Sequence, residues 1–360
     1  MGMIEQELAG RNLPCLFQLQ DGSPVKNISD WKKKREEIKE MLGREFAGFP
    51  PRLSIKVHSK ILRTEENSYG GKATTEYREL SIQSAFSEGS FPFSLTLPKS
   101  KEKVPVFVFL GFQTSPADGV AEEILDRGYG IAHVYYQDIA ADYYDEHLTG
   151  LGRFCTRNPF DSWGKLRIWA WGAQRILDEL LLDTRIDGKR IAVMGHSRLG
   201  KTALLAGALE ERFSLTIVVQ SGAGGAALFR GKTGEQIENL YGKGSRLWFN
   251  GNFFKYREKV EELPFDQHFL LALAAPRHLY VSSAAEDAWA DPKSEFLSCV
   301  AAGEAYAFLG EKGLIHHGSF PKPGEYFHDG RIGYHLRCGT HYLSRDDWKM
   351  IMDYRDRHNV

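Results

Sequence analysis

The sequence is short of cysteine, of charge of one sign and of long apolar runs, and each shortage removes a class of protein. Four cysteines in 360 residues (Cys15, Cys155, Cys299 and Cys338) include no C-x-x-C pair, which argues against a zinc knuckle or a thioredoxin-like redox site. Free buried thiols are the default expectation, with one or two disulfides left open. Lysine and arginine (46) nearly balance aspartate and glutamate (47), for a formal net charge of −1, and the cations are scattered. That speaks against a nucleic-acid binder and gives no reason to expect a membrane partner. The basic run at 32–35, with Lys39, is interleaved with Glu36, Glu37 and Glu40 and reads as the solvated face of a helix. No stretch is long enough to span a bilayer, and MGMIEQELAG holds no apolar signal core. A cytosolic protein and one whose leader lies outside this sequence are both open.

What remains is a 42% hydrophobic chain with material for a sizeable core. Residues 27–42 read as a charged amphipathic helix that Ser29 or Asp30 is able to cap, followed by a break at Pro50. From 52 to 98 apolar residues alternate (Leu53, Ile55, Val57; Tyr77, Leu80, Ile82) between glycine-rich turns, the pattern of antiparallel strands. From Val104 short apolar runs alternate with helical stretches, which indicates a parallel sheet with crossover helices. The runs are VPVFVFL, GIAHVYY after a helix-like stretch around 118–126, RIAVMG, SLTIVVQS, RHLYVSS and GLIHHGS. Leu166, Trp169, Ala173, Ile176, Leu177 and Leu180 share one helical stripe, and Ser344 with Asp347 forms a capping box for a last helix. The expected architecture is an α/β three-layer sandwich of the α/β-hydrolase type, its central sheet mostly parallel with an antiparallel N-terminal region. One domain is expected overall, residues 51–360, with 1–50 as a helical extension packed on it.

The informative segment is RIAVMGHSRLGKTALLAGAL. A buried strand runs through Gly195-His196-Ser197 straight into an Ala/Leu-rich helix, and a turn that tight thrusts the middle side chain above the sheet. Gly195 supplies one small flank. Leu199 stands where G-x-S-x-G has its second glycine, with Gly200 one place later, so the general motif is not matched. The plainer alternative is that Ser197 only caps the helix. The helix start favours an anion in either case, and the backbone N–H of Arg198 is the expected oxyanion donor.

In such a fold the order along the chain is serine, acid, histidine. Among the 12 histidines, His341 lies in a glycine-containing loop three residues before Ser344, the expected place for the base. His335 is its rival and reads as a packing residue. His316 and His317 fall in a strand pattern, where neighbours face opposite ways, so they are poor joint metal ligands. No metal or cofactor is expected. The acid should follow RHLYVSS, where Glu286 is the first choice and Asp287 close behind; Asp291 before Pro292 reads as a cap.

GHSRLGK, QSGAGGAALFR, APRHLYVSSAAEDAWADP and IGYHLRCGTHYLSRDDW, in this order, resemble the glucuronoyl esterases, a family of carbohydrate esterases. The resemblance implies cleavage of the ester between a glucuronic acid branch of xylan and an alcohol of lignin. It implies Ser197 as nucleophile, His341 as base, and an Arg198 guanidinium that helps the oxyanion. Lys201 would contact sugar hydroxyls, Trp289 would pack near the uronate, and Glu235 is a weaker candidate for a sugar contact. Fungal members carry the acid where this chain has Gln220, so the charge must come from Glu286 or Asp287. Arg198 and Lys201, three apart on one helix, are expected to form a cradle beside the nucleophile. Family members are usually exported, and a monomer acting on a uronate ester is expected. The alternatives are an acetylxylan or other carbohydrate esterase with the same triad, or a non-catalytic carbohydrate-binding relative.

Overall fold

The computed structural model describes residues 2–115, 120–145, 147–155, 158, 160–242 and 244–360. Among them ten strands form one mixed sheet. In chain order they are β1 (Lys56–Ser68), β2 (Ala73–Gln83), β3 (Glu88–Pro98), β4 (Val104–Gly111), β5 (Gly130–Tyr135), β6 (Ile186–His196), β7 (Leu215–Val219), β8 (His278–Ala284), β9 (Tyr326–Phe327) and β10 (Ile332–Arg337). Across the sheet the order is β1-β2-β3-β5-β4-β6-β7-β8-β10-β9. Pairing is antiparallel from β1 to β5 and between β9 and β10. It is parallel from β5 through β4, β6, β7 and β8 to β10. This is the α/β-hydrolase arrangement.

Alternation within the central strands builds the layers. Val106, Val108, Leu110, Ile191 and Val193 face one core, which holds the buried stripe of helix Lys165–Leu180 and residues of helices Arg198–Leu209 and Pro292–Phe308. Phe107, Phe109, Ala192, Met194 and Ile217 face the other, with Val120, Ile124, Trp348 and Ile351 from helices Val120–Asp126 and Arg345–His358. Strands buried on both faces are near-continuous apolar runs, as β4 is and as β7 is apart from the buried Thr216. Each fully buried Val, Leu or Phe contributes about 1.5–3 kcal/mol. Carboxyl ends of the parallel strands gather on one edge, where α/β sheets place their ligands.

Several expectations change. GLIHHGS forms no strand: residues 313–316 lack regular structure, and His316 and His317 lie in a loop. Helix Ile28–Leu42 is capped by Asn27, whose side chain accepts from the Asp30 N–H, and not by Ser29 or Asp30. The basic run is not wholly solvated, because Lys34 and Arg35 are buried. Lys34 donates to the Gln18 carbonyl, while Arg35 donates to the carbonyls of Leu273 and Ala275 and pairs with Glu211, so this helix is fastened to the segment before β8. None of the four cysteines forms a disulfide, and only Cys299 is buried; Cys15 and Cys338 are exposed. Asp118, at the start of the helix-like stretch, lies outside the described residues, and the helix runs Val120–Asp126.

Candidate active site

Ser197 leaves β6 at φ +59° and ψ −127°, a conformation that a residue with a Cβ adopts only under constraint. The constraint comes from both sides. The Ser197 N–H is bonded to the Val219 carbonyl at 2.9 Å, and the Lys201 N–H begins the helix on the Ser197 carbonyl at 3.1 Å. A Cβ on Gly195 would lie 2.1 Å from the Leu199 carbonyl oxygen, so glycine is required there. On the far side the crowded position is Gly200, whose added Cβ would meet the Val219 carbonyl at 3.0 Å. Leu199 is fully buried in the core. The second small residue of the turn is therefore displaced by one position from the general motif.

The Ser197 hydroxyl makes no cap to its own helix. His341 Nε2 lies 2.9 Å from Ser197 Oγ, and His341 Nδ1 lies 2.6 Å from Asp287 Oδ2. Of the two carboxylates after β8, Asp287 faces the ring. Burial works to raise the Asp287 pKa, but the bond and charge of His341 and the Ala290 N–H outweigh it, leaving the carboxylate below its usual range. Glu286 is exposed and meets the histidine loop through its backbone, its N–H donating to the Gly339 carbonyl at 3.0 Å. The residue turning inward is thus one place later than the first choice, because the chain bends after Ala284, where the Asp287 N–H bonds the Ala284 carbonyl at 3.1 Å. Asp291 is a cap, accepting from the Ser294 N–H.

A second Ser–His–Asp group lies beneath. Ser282 Oγ donates to Asp347 Oδ1 at 2.6 Å and faces His335 Nε2 at 3.1 Å, and His335 Nε2 lies 2.9 Å from Asp347. Ser282 and Asp347 are 0% exposed and His335 2%, so an ester carbonyl has no approach to this hydroxyl. Its geometry serves another purpose. Asp347 also accepts from Arg337 Nε at 2.8 Å, and the guanidinium donates to the carbonyls of Cys338, Thr340 and Tyr342. Three carbonyls of the loop carrying His341 are thereby gripped by one buried cation. Burial pushes the Asp347 pKa up, but bonds from His335, Ser282 and Ser344 hold it well below the ordinary carboxylate range.

Arg198 opens the helix, where first-turn amides have no intrahelical partner and the dipole favours negative charge. Its guanidinium pairs with Asp142 and lies 4.6 Å from the Trp248 ring centroid and 5.7 Å from that of Phe112. Asp142 also accepts from Trp248 Nε1 at 2.9 Å and Tyr136 OH at 3.1 Å. Burial and the Asp142 charge push the Tyr136 hydroxyl up to about 12. Asp142, Tyr136 and Trp248 hold the arginine over the nucleophile's helix. Sequence reasoning missed Asp142, because nothing in the spacing of DYYDEH marks one of its three carboxylates over the others.

The expected Arg198/Lys201 cradle is not formed as drawn. Lys201 is 3% exposed, and its three ammonium donors go to the carbonyls of Ser221 and Ala223, each at 2.6 Å, and to Glu235 Oε2 at 2.9 Å. One helical turn into the core, a lysine reaches backbone before it reaches solvent. It holds Glu235 in place instead, and the Glu235 N–H bonds the Trp289 carbonyl at 2.9 Å. Trp289 is 54% exposed, two residues beyond Asp287. Lys201, Glu235 and Trp289 are therefore brought together, with the carboxylate and the indole as the outer members. Among the described residues no group of three or more His, Cys, Asp or Glu side chains is arranged for a metal ion, and no helix is long and apolar enough to cross a membrane.

Comparison with known proteins gives the family. The family described as "Glucuronyl esterase, fungi" matches residues 80–310. A 4-O-methyl-glucuronoyl methylesterase of Schizophyllum commune is 31% identical over 83% of this chain and 74% of its own. A glucuronoyl esterase from Solibacter usitatus superposes with a TM-score of 0.87 at 33% identity, covering 96% of this chain and 97% of its own. An enzyme from a marine bacterial metagenome, described as a promiscuous esterase of carbohydrate esterase family 15, gives 0.87 at 32% identity over the same shares. The chain belongs to the glucuronoyl esterase family of carboxylic ester hydrolases.

Proposed function

We propose that this enzyme hydrolyses esters of glucuronic acid, including the 4-O-methylated sugar of glucuronoxylan, through Ser197, His341 and Asp287. The observation that carries the reading is the relay of 2.9 Å and 2.6 Å contacts joining the three at a strained strand–helix corner. In the first half-reaction His341 Nε2 takes the Ser197 proton as Oγ bonds the ester carbonyl carbon. The carbonyl oxygen becomes an oxyanion received by the Arg198 N–H and guanidinium. His341 then hands the proton to the departing alcohol, leaving an acyl-serine. Water attacks that acyl-serine with His341 again as base, releasing the uronic acid and restoring the hydroxyl. Asp287 keeps Nδ1 protonated and stabilises the imidazolium, without itself taking the proton. Glu235 and Trp289 form the sugar side, the carboxylate accepting from a ring hydroxyl and the indole stacking on the ring.

The test is hydrolysis of methyl glucuronate against release of acetate from acetylated xylan. Selectivity for the uronate ester, abolished by Ser197→Ala with sugar binding retained, is expected; undiminished turnover by Ser197→Ala ends the proposal. A second reading, a broader esterase, is favoured by the 40% exposure of the His341 side chain and by the relative described as promiscuous. Comparable rates on both substrates would select it.

A further inference from the structure

Gln220 follows β7, bonds neither Ser197 nor His341 through its side chain, and reaches a neighbour of each. It is 1% exposed and sits at φ +46°, in the left-handed region that side chains seldom occupy. Its N–H is anchored to the Ser282 carbonyl on β8 at 2.7 Å. From that fixed turn, Nε2 donates to the carbonyl of Tyr342, the residue after the base, at 3.1 Å. Oε1 faces Nε2 of His196, the residue before the nucleophile, at 3.3 Å. The sense of the amide is forced. A carbonyl only accepts, so the NH₂ must face Tyr342 and the oxygen must face His196. His196 then carries a proton on Nε2.

The state of His196 matters because the His196 and His341 rings lie 4.7 Å apart between centroids. His196 is faced by Gln220, His341, Asp287, Asp347 and the ring of Phe112. Burial first, then the charge of His341, lowers the His196 pKa to about 4. A second imidazolium there would oppose the one His341 must become during turnover.

We infer that Gln220 is a positioning residue whose amide ties the loop of the base to the strand end of the nucleophile and fixes the tautomer of His196, with the Nε2 proton directed at the Gln220 oxygen. The inference rests on the Ser197–His341–Asp287 reading but is tested without turnover as well as with it. Side-chain ¹⁵N NMR of histidines in the unaltered protein should show His196 neutral with its proton on Nε2 from neutral pH down to about pH 5. An Nδ1–H tautomer, or an imidazolium in that range, overturns the inference whatever the variants do. Gln220→Glu is nearly isosteric, but sets an oxyanion against the Tyr342 carbonyl and gives His196 a charged partner. Its expected signature is a fall in kcat of about tenfold or more with KM within about twofold, since the residue touches no substrate. The His196 titration should move up toward neutrality in the same variant. Gln220→Leu, which lacks both bonds, should lose kcat with KM held but without the His196 shift. A folded Gln220→Glu with unchanged kcat, or a loss carried by KM, overturns it. A Ser197→Ala variant that still turns over would sink the triad and leave the tautomer result untouched.

Discussion

Asp287→Asn offers the sharpest test of the site, because the structure dictates how the new amide must sit. In the native site Oδ1 accepts the Ala290 N–H at 3.1 Å and Oδ2 faces His341 Nδ1 at 2.6 Å. An asparagine keeps its oxygen on the Ala290 donor, because the reverse would oppose two N–H groups. Its NH₂ then points at His341 Nδ1 and forces that nitrogen to accept. The imidazole proton moves to Nε2, which faces Ser197 and can no longer take its proton. The wrong tautomer in a Ser-His-Asp triad lowers kcat by roughly 10⁴, or about 5 kcal/mol at 1.36 kcal/mol per tenfold. KM should change little, since the carboxylate is buried behind the ring. Glu286→Gln, one residue away and exposed, should keep kcat within about twofold. Initial rates on methyl glucuronate at pH 7, with far-UV circular dichroism as a folding control, decide between them. Should Asp287→Asn retain more than about a tenth of native kcat, or Glu286→Gln fall further than it, the tautomer argument is refuted.

Three further outcomes follow from the same geometry. Asp142→Ala releases the Arg198 guanidinium and strands Trp248 Nε1 and Tyr136 OH; kcat should fall by about 10–10² in the same assay, with a smaller change in melting temperature than in rate. Gly195→Ala places a methyl 2.1 Å from the Leu199 carbonyl and should prevent native folding, seen as loss of soluble protein, whereas Gly200→Ala, at 3.0 Å, should fold with a lowered melting temperature. Asp287 and Asp347 both have pKa values below the ordinary carboxylate range, so their stabilisation is complete above about pH 4, the unfolded value, and is lost as pH falls through the folded values. Urea midpoints should drop between pH 6 and pH 3, and Asp347→Asn, which leaves Arg337 unpaired, should cost about 3–5 kcal/mol at neutral pH and flatten that dependence.

The fold was legible where physics is local. Apolar runs long enough for a strand marked β4, β5, β6, β7 and β8, the first three with a glycine at one end, and the Ser344/Asp347 box marked the last helix. GLIHHGS misled because Leu314 packs from a loop while Ile315 is exposed, which composition does not distinguish from a strand. At the site, chain order and turn chemistry singled out Ser197 and His341, whose side chains lie 2.9 Å apart. The acid was narrowed to two adjacent residues and no further, because which carboxylate turns inward depends on a bend set by backbone bonds to a distant loop. Arg198 and Lys201 shared a spacing but not a fate. Their environments are decided by the carbonyls of Ser221 and Ala223 on one side and by Asp142 and Trp248 on the other, and no periodicity in the helix itself encodes those.

Arg337 grips the His341 loop through the carbonyl oxygens of Cys338, Thr340 and Tyr342, and its guanidinium lies 4.1 Å from the Tyr342 ring centroid. Cys338 and Thr340 are exposed and take part through their backbone alone in this grip. Substitutions at Cys338 and Thr340 leave those carbonyls within reach of Arg337, so the course of the loop is set by its backbone and one buried guanidinium rather than by the side chains it exposes.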